Sequence, residues 1–529
     1  MANGCAPGNP YAKHVYSRRQ PEKTPLYQVF QRHLPAFERM WTDSESGGCL
    51  PKFVTGELQA FLRCGILAYG FAQMHCDECR KRHLVAFSCK CRGFCPSCMG
   101  RRMNEGAANL VDHALPEGIP LRQWVLTLPH PLRYPLAFDA GHLGKVLRLF
   151  TSTVSSWYTR GHSGGKTGSV TVIQRASSDL RLNPHFHTLF LDGAYRPGPD
   201  GEAPVFEPAP TPTQEDIEAV VTRARKRILR YLEKQGVVAF AAAPGDGEVH
   251  AQVDETLGES SPALATLMAA ATVGAAPAGP ALRRAPIQLS PCTQGGPDPK
   301  GYLCAQDAAF NLHAARRVAP NDRQGREMLC RYILRPPLAN ERFHLMEDGM
   351  VTVEFKRPWK DGTRSIASEP KALLSRLSAI VPPPRRHVTV YSGVLSSGSS
   401  WRSLVVPGYK EENPEDPTPA AKGRLPPSGE PVHPSAAQEE TRSGEAAVRS
   451  RYIPWKELLR RTFGSEVVCP DCGGRLRLVA LVKTEASIQM LLAAFHLPTG
   501  PPKVAAAEQP PGEEGLEWRG EVGEADWVD

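Results

Sequence analysis

Residues 169–192 read SVTVIQRASSDLRLNPHFHTLFLD, and this stretch decides the fold. Ser169–Arg175 is rich in β-branched residues (Val170, Thr171, Val172, Ile173), and His185–Asp192 is apolar and aromatic. Between them, Ala176–Pro184 carries the Ser, Asp, Asn and Pro of a loop. Two short strands so joined are expected to be neighbours in an antiparallel sheet. On a strand, residues i and i+2 point to one face. His185 and His187 therefore project together while Phe186 enters the core. Two parallel imidazoles make two legs of a metal site. Val170, Val172 and Gln174 share a face of the other strand, so Gln174 is placed to supply a third ligand through its carbonyl oxygen. Three neutral ligands leave a divalent ion its full charge and open positions, which suits a Lewis acid acting on a phosphate oxygen. Mg²⁺ or Mn²⁺ fits that role, and imidazoles would tolerate zinc. On the residues alone, packed imidazoles and a surface glutamine remain an equal alternative.

Outward from this pair the text alternates helix and strand. Gln123–Leu128 (QWVLTL) reads as a strand closed by Pro129, and Ala137–Tyr158 has helical spacing. Asp216–Gln235 is a basic amphipathic helix, and Ala309–Ala314, Val351–Phe355 and His387–Tyr391 read as further strands. A helix is expected from Asn321 to Leu334, stopped by Pro336 and Pro337. Toward the N-terminus, helical patterns start near Pro25 and run over Glu57–Ala72. The fold class that follows is α+β: an antiparallel sheet with helices on one face, preceded by a small zinc-binding module. The expected division is 1–103 helical and zinc-binding, 104–345 catalytic with a low-complexity insertion at about 240–300, and 346–410 an extension of the core. After these come a disordered linker at 411–450, a small module at 451–500 and an acidic tail at 501–529.

The chain has 529 residues, enough for sizeable cores without staples. No apolar run approaches the ~20 residues of a membrane helix, and the first residues lack an apolar signal core. These features predict a cytoplasmic protein. Net charge is +8, but Glu508–Asp529 holds eight acids and only Arg519, so the rest of the chain carries +15. A basic body fits a polyanion, which points to nucleic acid.

Of the fourteen cysteines, seven lie between Cys64 and Cys98. Cys76-x-x-Cys79, then fifteen residues, then Cys95-x-x-Cys98 is the spacing of a two-knuckle structural zinc site. Cys64, Cys89, Cys91, His75 and His83 are close enough in sequence to exchange with these ligands. Arg101 and Arg102, after the second knuckle, are placed to face DNA phosphates. Cys469-x-x-Cys472 is a single knuckle, a zinc half-site that cannot close a tetrahedron alone.

Leu329–Leu338 (LCRYILRPPL) puts Tyr332 between Arg331 and Arg335 near a helix end. A phenol ionises near pH ~10, so it attacks only with a base or a cationic field, which Arg335 could provide. The competing reading is a packed ring with a wet hydroxyl. Gly165-Lys166-Thr167 is no phosphate loop: Arg160 stands where the first glycine belongs, and a strand follows instead of a helix. No nucleotide cofactor is therefore expected.

Together these segments resemble a known family. The carriers are FLRCG at 61–65, SCK at 88–90, GFCPSC at 93–98, RRM at 101–103, VLTLP at 125–129, NPHFH at 183–187 and RYILRPP at 331–337. They are similar to the rolling-circle transposases of the insertion-sequence 91 type, including those of common-region elements, within the HUH single-strand endonuclease superfamily. The resemblance runs from Phe61 to Tyr391 and again from Trp455 to Val482. It implies that His185 and His187 hold the catalytic metal and that Tyr332 is the nucleophile, with Arg335 and Arg331 beside the DNA. Members with two tyrosines carry the other four residues away, where this chain has Met328, so a single-tyrosine member is implied. The implied reaction is cleavage and rejoining of single-stranded DNA at element ends and target through a 5′-phosphotyrosine. Two other readings stay open: a zinc-containing DNA-binding regulator without chemistry, and a water-using metal-dependent phosphoesterase.

Overall fold

The computed structural model describes residues 19–42, 49–161, 163–198, 202–242, 249–253, 258–274, 302–355, 358, 362–406 and 469–504. The segment 411–450, expected to be a linker, and most of the acidic tail lie outside the described residues.

A seven-stranded antiparallel sheet forms the centre. Its order is Cys304–Asp307, Phe310–His313, Leu121–Thr127, Leu182–Leu191, Gly168–Ala176 and Thr389–Gly393, with Arg317–Val318 also pairing to Leu121–Thr127. The histidine strand Leu182–Leu191 is thus flanked on both sides. The alternation of the strands sends Trp124, Leu126, Phe186 and Phe190 to one face. There they form a core with the long helices Ala140–Tyr158 and Gln214–Lys234. Val170, Val172, Leu189 and Leu191 go to the other face and pack on Leu329, Cys330 and Ile333 of the helix Arg323–Ile333. Helices therefore cover both faces, the two long ones on one and the tyrosine helix on the other.

Local chemistry explains where the elements differ from the sequence reading. The expected helix 137–158 is two helices, His130–Phe138 and Ala140–Tyr158, because the Asp139 carboxylate accepts the backbone N–H groups of Gly141 and His142 and starts a new helix. The helix expected over 57–72 is Lys52–Arg63. It ends before Gly65, which takes a left-handed φ of 83°, and strand Phe71–Cys76 follows. Within the Ala-, Gly- and Pro-rich insertion at about 240–300, the segment 262–273 has text that a helix can take, and it forms the helix Pro262–Val273, most of it buried. Ala263, Leu264, Leu267, Met268 and Ala271 join the core shared with Leu373, Leu374 and Leu377 of helix Pro370–Ala379.

That same core contains the N-terminal helices Pro25–Met40 and Lys52–Arg63 together with Cys64, Cys91, Cys95 and Cys98. The zinc module is therefore packed into the body. The described part of the C-terminal segment, 469–504, is not a separate module either. Its strand Leu476–Val482 pairs antiparallel with Phe71–Cys76, which also pairs with Arg82–Ala86, giving a three-stranded sheet.

Candidate active site and metal centres

Cross-strand register places the site residues. His185 lies opposite Gln174 on one side and Thr127 on the other, and His187 lies opposite Val172 and Val125. Directly paired residues share a face, so both imidazoles point toward the tyrosine helix. Their ring centroids are 5.0 Å apart. The His185 Nδ1 is 2.7 Å from the Asn183 carbonyl oxygen, which can only accept. The proton therefore sits on Nδ1, and Nε2 carries the lone pair. The His187 Nδ1 is 2.8 Å from the Gln123 amide nitrogen, which can only donate, so in this amide orientation Nδ1 accepts; turning the amide by 180° puts its oxygen there, and Nδ1 then donates. His187 Nε2 is buried, with no hydrogen-bond partner among the described residues.

Burial holds both rings neutral. His185 is lowered to about 4, chiefly by desolvation. His187 is lowered to about 2 by desolvation, with the charges of His185 and Arg335 adding to it. Two neutral imidazoles could offer a divalent ion the Nε2 of His185 and, with the Gln123 amide turned so that its oxygen accepts from Nδ1–H, the Nε2 of His187.

Tyr332 occupies the last turn of helix Arg323–Ile333, whose start is capped by the Asp322 side chain accepting from the Gly325 N–H. Its ring meets that of His187 edge-on, 5.7 Å between centroids. The Arg335 guanidinium lies 4.6 Å from the Tyr332 ring centre, and Arg316 lies 5.5 Å from it. Gln174 donates its amide N–H to the Ile333 carbonyl at 2.8 Å. It ties the end of the tyrosine helix to the sheet and leaves its carbonyl oxygen as the ligand atom it can offer. Met328, one turn before Tyr332, is 55% exposed.

Gln123, Gln174, His185, Arg316, Tyr332 and Arg335 line a groove of about 1230 Å³, and His187 lies buried beside it, outside the lining. Its walls carry Arg92, Arg102, Arg175, Arg316, Arg335 and Arg342 against a single acid, Glu105. Arg102 thus lies where a phosphate would run. Arg101 and Arg331 are not part of this lining, and Arg331 pairs with Glu327 at 2.6 Å along its own helix.

The cysteines form two sets, and neither is the one the spacing suggested. Cys76 and Cys79 do not meet Cys95 and Cys98. Cys95 and Cys98 join Cys64 and Cys89, with Sγ–Sγ separations of 3.7 Å (Cys64–Cys98), 3.7 Å (Cys64–Cys95) and 3.3 Å (Cys89–Cys98). Cys76 and Cys79 join Cys469 and Cys472. Zn–S bonds of ~2.3 Å in a tetrahedron put sulfurs roughly 3.8 Å apart, so the first set fits a structural zinc. Its loop is held from outside: both oxygens of Glu57 accept at 2.9 Å, from the N–H groups of Arg92 and Gly93. Cys91 belongs to neither set, and its thiol faces the Glu57 and Cys89 carbonyls. The spacing misled because Cys76 and Cys79 sit on the turn between two strands, whereas Cys95 and Cys98 open helix Pro96–Asn109.

Two family models match the chain. One, "Transposase zinc-binding domain", covers residues 29–128 and so contains all six cysteines from Cys64 to Cys98 that enter the two sets. The other, "Putative transposase", covers residues 168–402, which hold the histidine pair and Tyr332. The chain belongs to the transposases of the insertion-sequence 91 type. No curated protein and no solved structure matches it significantly.

The transposase is a DNA-processing enzyme, and DNA is its partner. Its cysteine sets fit structural zinc. Among the described residues, no helix is long and apolar enough to cross a membrane. The sequence reading of the transposase missed Gln123 and Arg316. Gln123 had the signal of a polar residue on a strand otherwise apolar, and strand phase puts it on the histidine face. Arg316 had none, because its place beside Tyr332 depends on the turn after Phe310–His313. The Gln123 N–H donates to the Arg316 carbonyl at 2.9 Å and fixes that turn.

Proposed function

We propose that the transposase cuts and rejoins single-stranded DNA through Tyr332, in the manner of a rolling-circle HUH enzyme. The observation that carries this reading is the juxtaposition of Tyr332 with two neutral imidazoles. Its ring stacks edge-on against His187, between two guanidinium groups, in a groove with one acid.

His185 and His187 would hold Mg²⁺ or Mn²⁺ by their Nε2 atoms, with Gln174 as candidate third ligand. When bound, that ion would withdraw charge from a non-bridging phosphate oxygen. The arginine-lined groove binds the DNA backbone and orients one phosphodiester toward the helix end. Arg335 and Arg316 flank the Tyr332 ring, and the phenol proton passes to water. The Tyr332 oxygen then forms a bond to phosphorus as the P–O3′ bond breaks. The departing 3′ oxygen takes a proton from water, leaving a 3′-hydroxyl and a 5′-phosphotyrosine. A 3′-hydroxyl, from the same strand or from target DNA, attacks the phosphotyrosine and returns the tyrosine. One phosphodiester is exchanged for another, so no nucleotide is consumed.

Tyr332→Phe removes one oxygen and almost no volume. Incubated with labelled single-stranded oligonucleotides from the element ends and Mn²⁺, the wild type should give a covalent adduct on denaturing gels, and Tyr332→Phe none, at unchanged DNA affinity. An adduct in Tyr332→Phe would move the nucleophile elsewhere, with Tyr391 on strand Thr389–Gly393 the next candidate. Cleavage without any adduct in the wild type would favour the water-using phosphoesterase.

A further inference from the structure

We infer that the transposase carries a second structural zinc, held by Cys76 and Cys79 of the N-terminal module and by Cys469 and Cys472 of the C-terminal segment. This ion would latch the two ends of the chain together around the catalytic core. The family match that names a zinc-binding domain stops at residue 128 and does not contain Cys469 or Cys472.

The geometry is that of a closed site. Cys76 and Cys472 sulfurs are 3.4 Å apart, and Cys79 and Cys469 sulfurs 3.5 Å, with all four within 4.8 Å of one another. That is close to the roughly 3.8 Å edge of a four-thiolate zinc tetrahedron. Both pairs sit on turns whose backbone N–H groups point at sulfur. Gly474 N–H donates to the Cys472 Sγ at 3.4 Å, the N–H groups of Glu78 and Cys79 serve Cys76, and Lys81 N–H serves Cys79. His83 adds an outer contact, its Nε2 lying 3.3 Å from the Cys469 sulfur.

The seam around the four sulfurs is built as a joint. Strand register runs from Phe71 opposite Val482 to Cys76 opposite Leu476. Lys81 pairs with Asp471 at 3.1 Å and Arg477 with Asp77 at 3.3 Å. The apolar core beneath is small: Leu67, Phe71, Leu84, Val482, Ile488 and Leu492 are its buried members. A three-stranded sheet over so small a buried core needs a further staple to hold. The four thiolates supply it across a sequence separation of 390 residues between Cys79 and Cys469. Two consequences follow. The module begun near residue 64 is completed only when the C-terminus has been made. Removing residues beyond 468 uncovers Phe71 and Leu84.

The test uses the full chain, reduced, with zinc bound. Cys472 is exposed, as is Cys49, which belongs to neither cysteine set. A metal-bound thiolate resists alkylation and a free exposed thiol does not, so Cys472 should react with N-ethylmaleimide at least about tenfold more slowly than Cys49. Chelation should bring the two rates together. Elemental analysis should find two zinc ions per wild-type chain and one in the Cys469→Ser/Cys472→Ser variant. Equal rates at Cys49 and Cys472 in the zinc-loaded wild type, or a single zinc per wild-type chain, overturns the inference. Alkylation is read on the unaltered protein, so a folding defect in the double variant cannot mask the answer. Neither readout involves DNA cleavage, so failure here leaves the phosphotyrosine reading untouched.

Discussion

Gln123→Leu tests whether the histidine face holds a metal. Gln123 is 3% exposed, and its amide lies 2.8 Å from His187 Nδ1. If the amide oxygen accepts from Nδ1–H, it keeps the proton off Nε2 and fixes the ring plane, which is what an outer partner does for a ligating histidine. Leucine keeps the volume and the strand but removes the acceptor. Losing such a partner typically costs 10–100-fold in metal affinity, or about 1.4–2.7 kcal/mol at ~1.36 kcal/mol per decade. The fold should hardly notice. The ~1–3 kcal/mol for an unsatisfied Nδ1 is set against burial of an apolar side chain in place of an amide, worth about 1.5–3 kcal/mol. The assay is single-strand cleavage against Mn²⁺ concentration, with thermal unfolding as control. Half-saturating Mn²⁺ should rise 10–100-fold while the rate at saturation stays near wild type. Gln123→Glu, which still accepts from Nδ1–H, should restore most of the affinity. An unchanged Mn²⁺ requirement in a folded Gln123→Leu would show His187 to be a packing residue and would refute the assignment.

Two further outcomes concern stability. His185 and His187 sit at about 4 and about 2, below the ~6.5 of an unfolded histidine. The unfolded chain therefore binds more protons below pH 6.5, so stability is full above that value and falls as pH drops toward the folded values. At pH 5 each ring costs up to about 2 kcal/mol, and metal-free protein should lose about 4 kcal/mol between pH 7 and 5 in urea melts, with Mn²⁺ restoring part of it. A flat profile that ignores Mn²⁺ would refute this. At the other end of the histidine strand, Arg122 and Asp192 are 2% and 1% exposed and bonded at 2.8 Å and 3.2 Å, and Tyr158 donates to the same carboxylate at 3.0 Å. Asp192→Ala strands a buried guanidinium and should cost about 3–5 kcal/mol of unfolding free energy. A loss under 1 kcal/mol would mean that water reaches Arg122.

The parts of this protein that were legible in sequence are those written by local rules. Strand alternation put His185 and His187 on one face and Phe186 on the other. The proline pair after Leu334 ended the tyrosine helix near Tyr332. What was not legible depended on distant segments meeting. Cys76-x-x-Cys79 and Cys95-x-x-Cys98 have the spacing of one site, but a turn and a helix start carry them to different partners. Cys469-x-x-Cys472 was legible as a half-site, but no spacing joins it to Cys76 and Cys79, and Cys64 follows no spacing rule at all. Pro262–Val273 could be read as a helix, but its place in the core with Leu373, Leu374 and Leu377 could not. Gln123 showed only as a polar residue in QWVLTL, and its meaning came from the register that brings Leu121–Thr127 beside Leu182–Leu191.

The same contacts explain why the nucleophile should be so closely placed. Gln174, opposite His185, donates to the Ile333 carbonyl and pins the end of the tyrosine helix to the histidine strand's neighbour. Gln123 reaches His187 with its side chain, and its backbone N–H holds the Arg316 carbonyl. Arg316 in turn lies over the Tyr332 ring. Gly106 of helix Pro96–Asn109 adds a third restraint: a Cβ there would stand 3.0 Å from Leu334, so the zinc module's helix abuts the residue that caps the tyrosine helix. Two of the paths run through a strand or helix and the third through a turn held by the Gln123 N–H, so displacement of the tyrosine requires displacement of the sheet, that turn or the module. Reaction by attack of a phenol depends mainly on how well that oxygen is held in line with the phosphate. Under the proposed tyrosine mechanism the zinc module would assist by position, through Gly106 and Leu334, as well as by lending Arg92 and Arg102 to the groove.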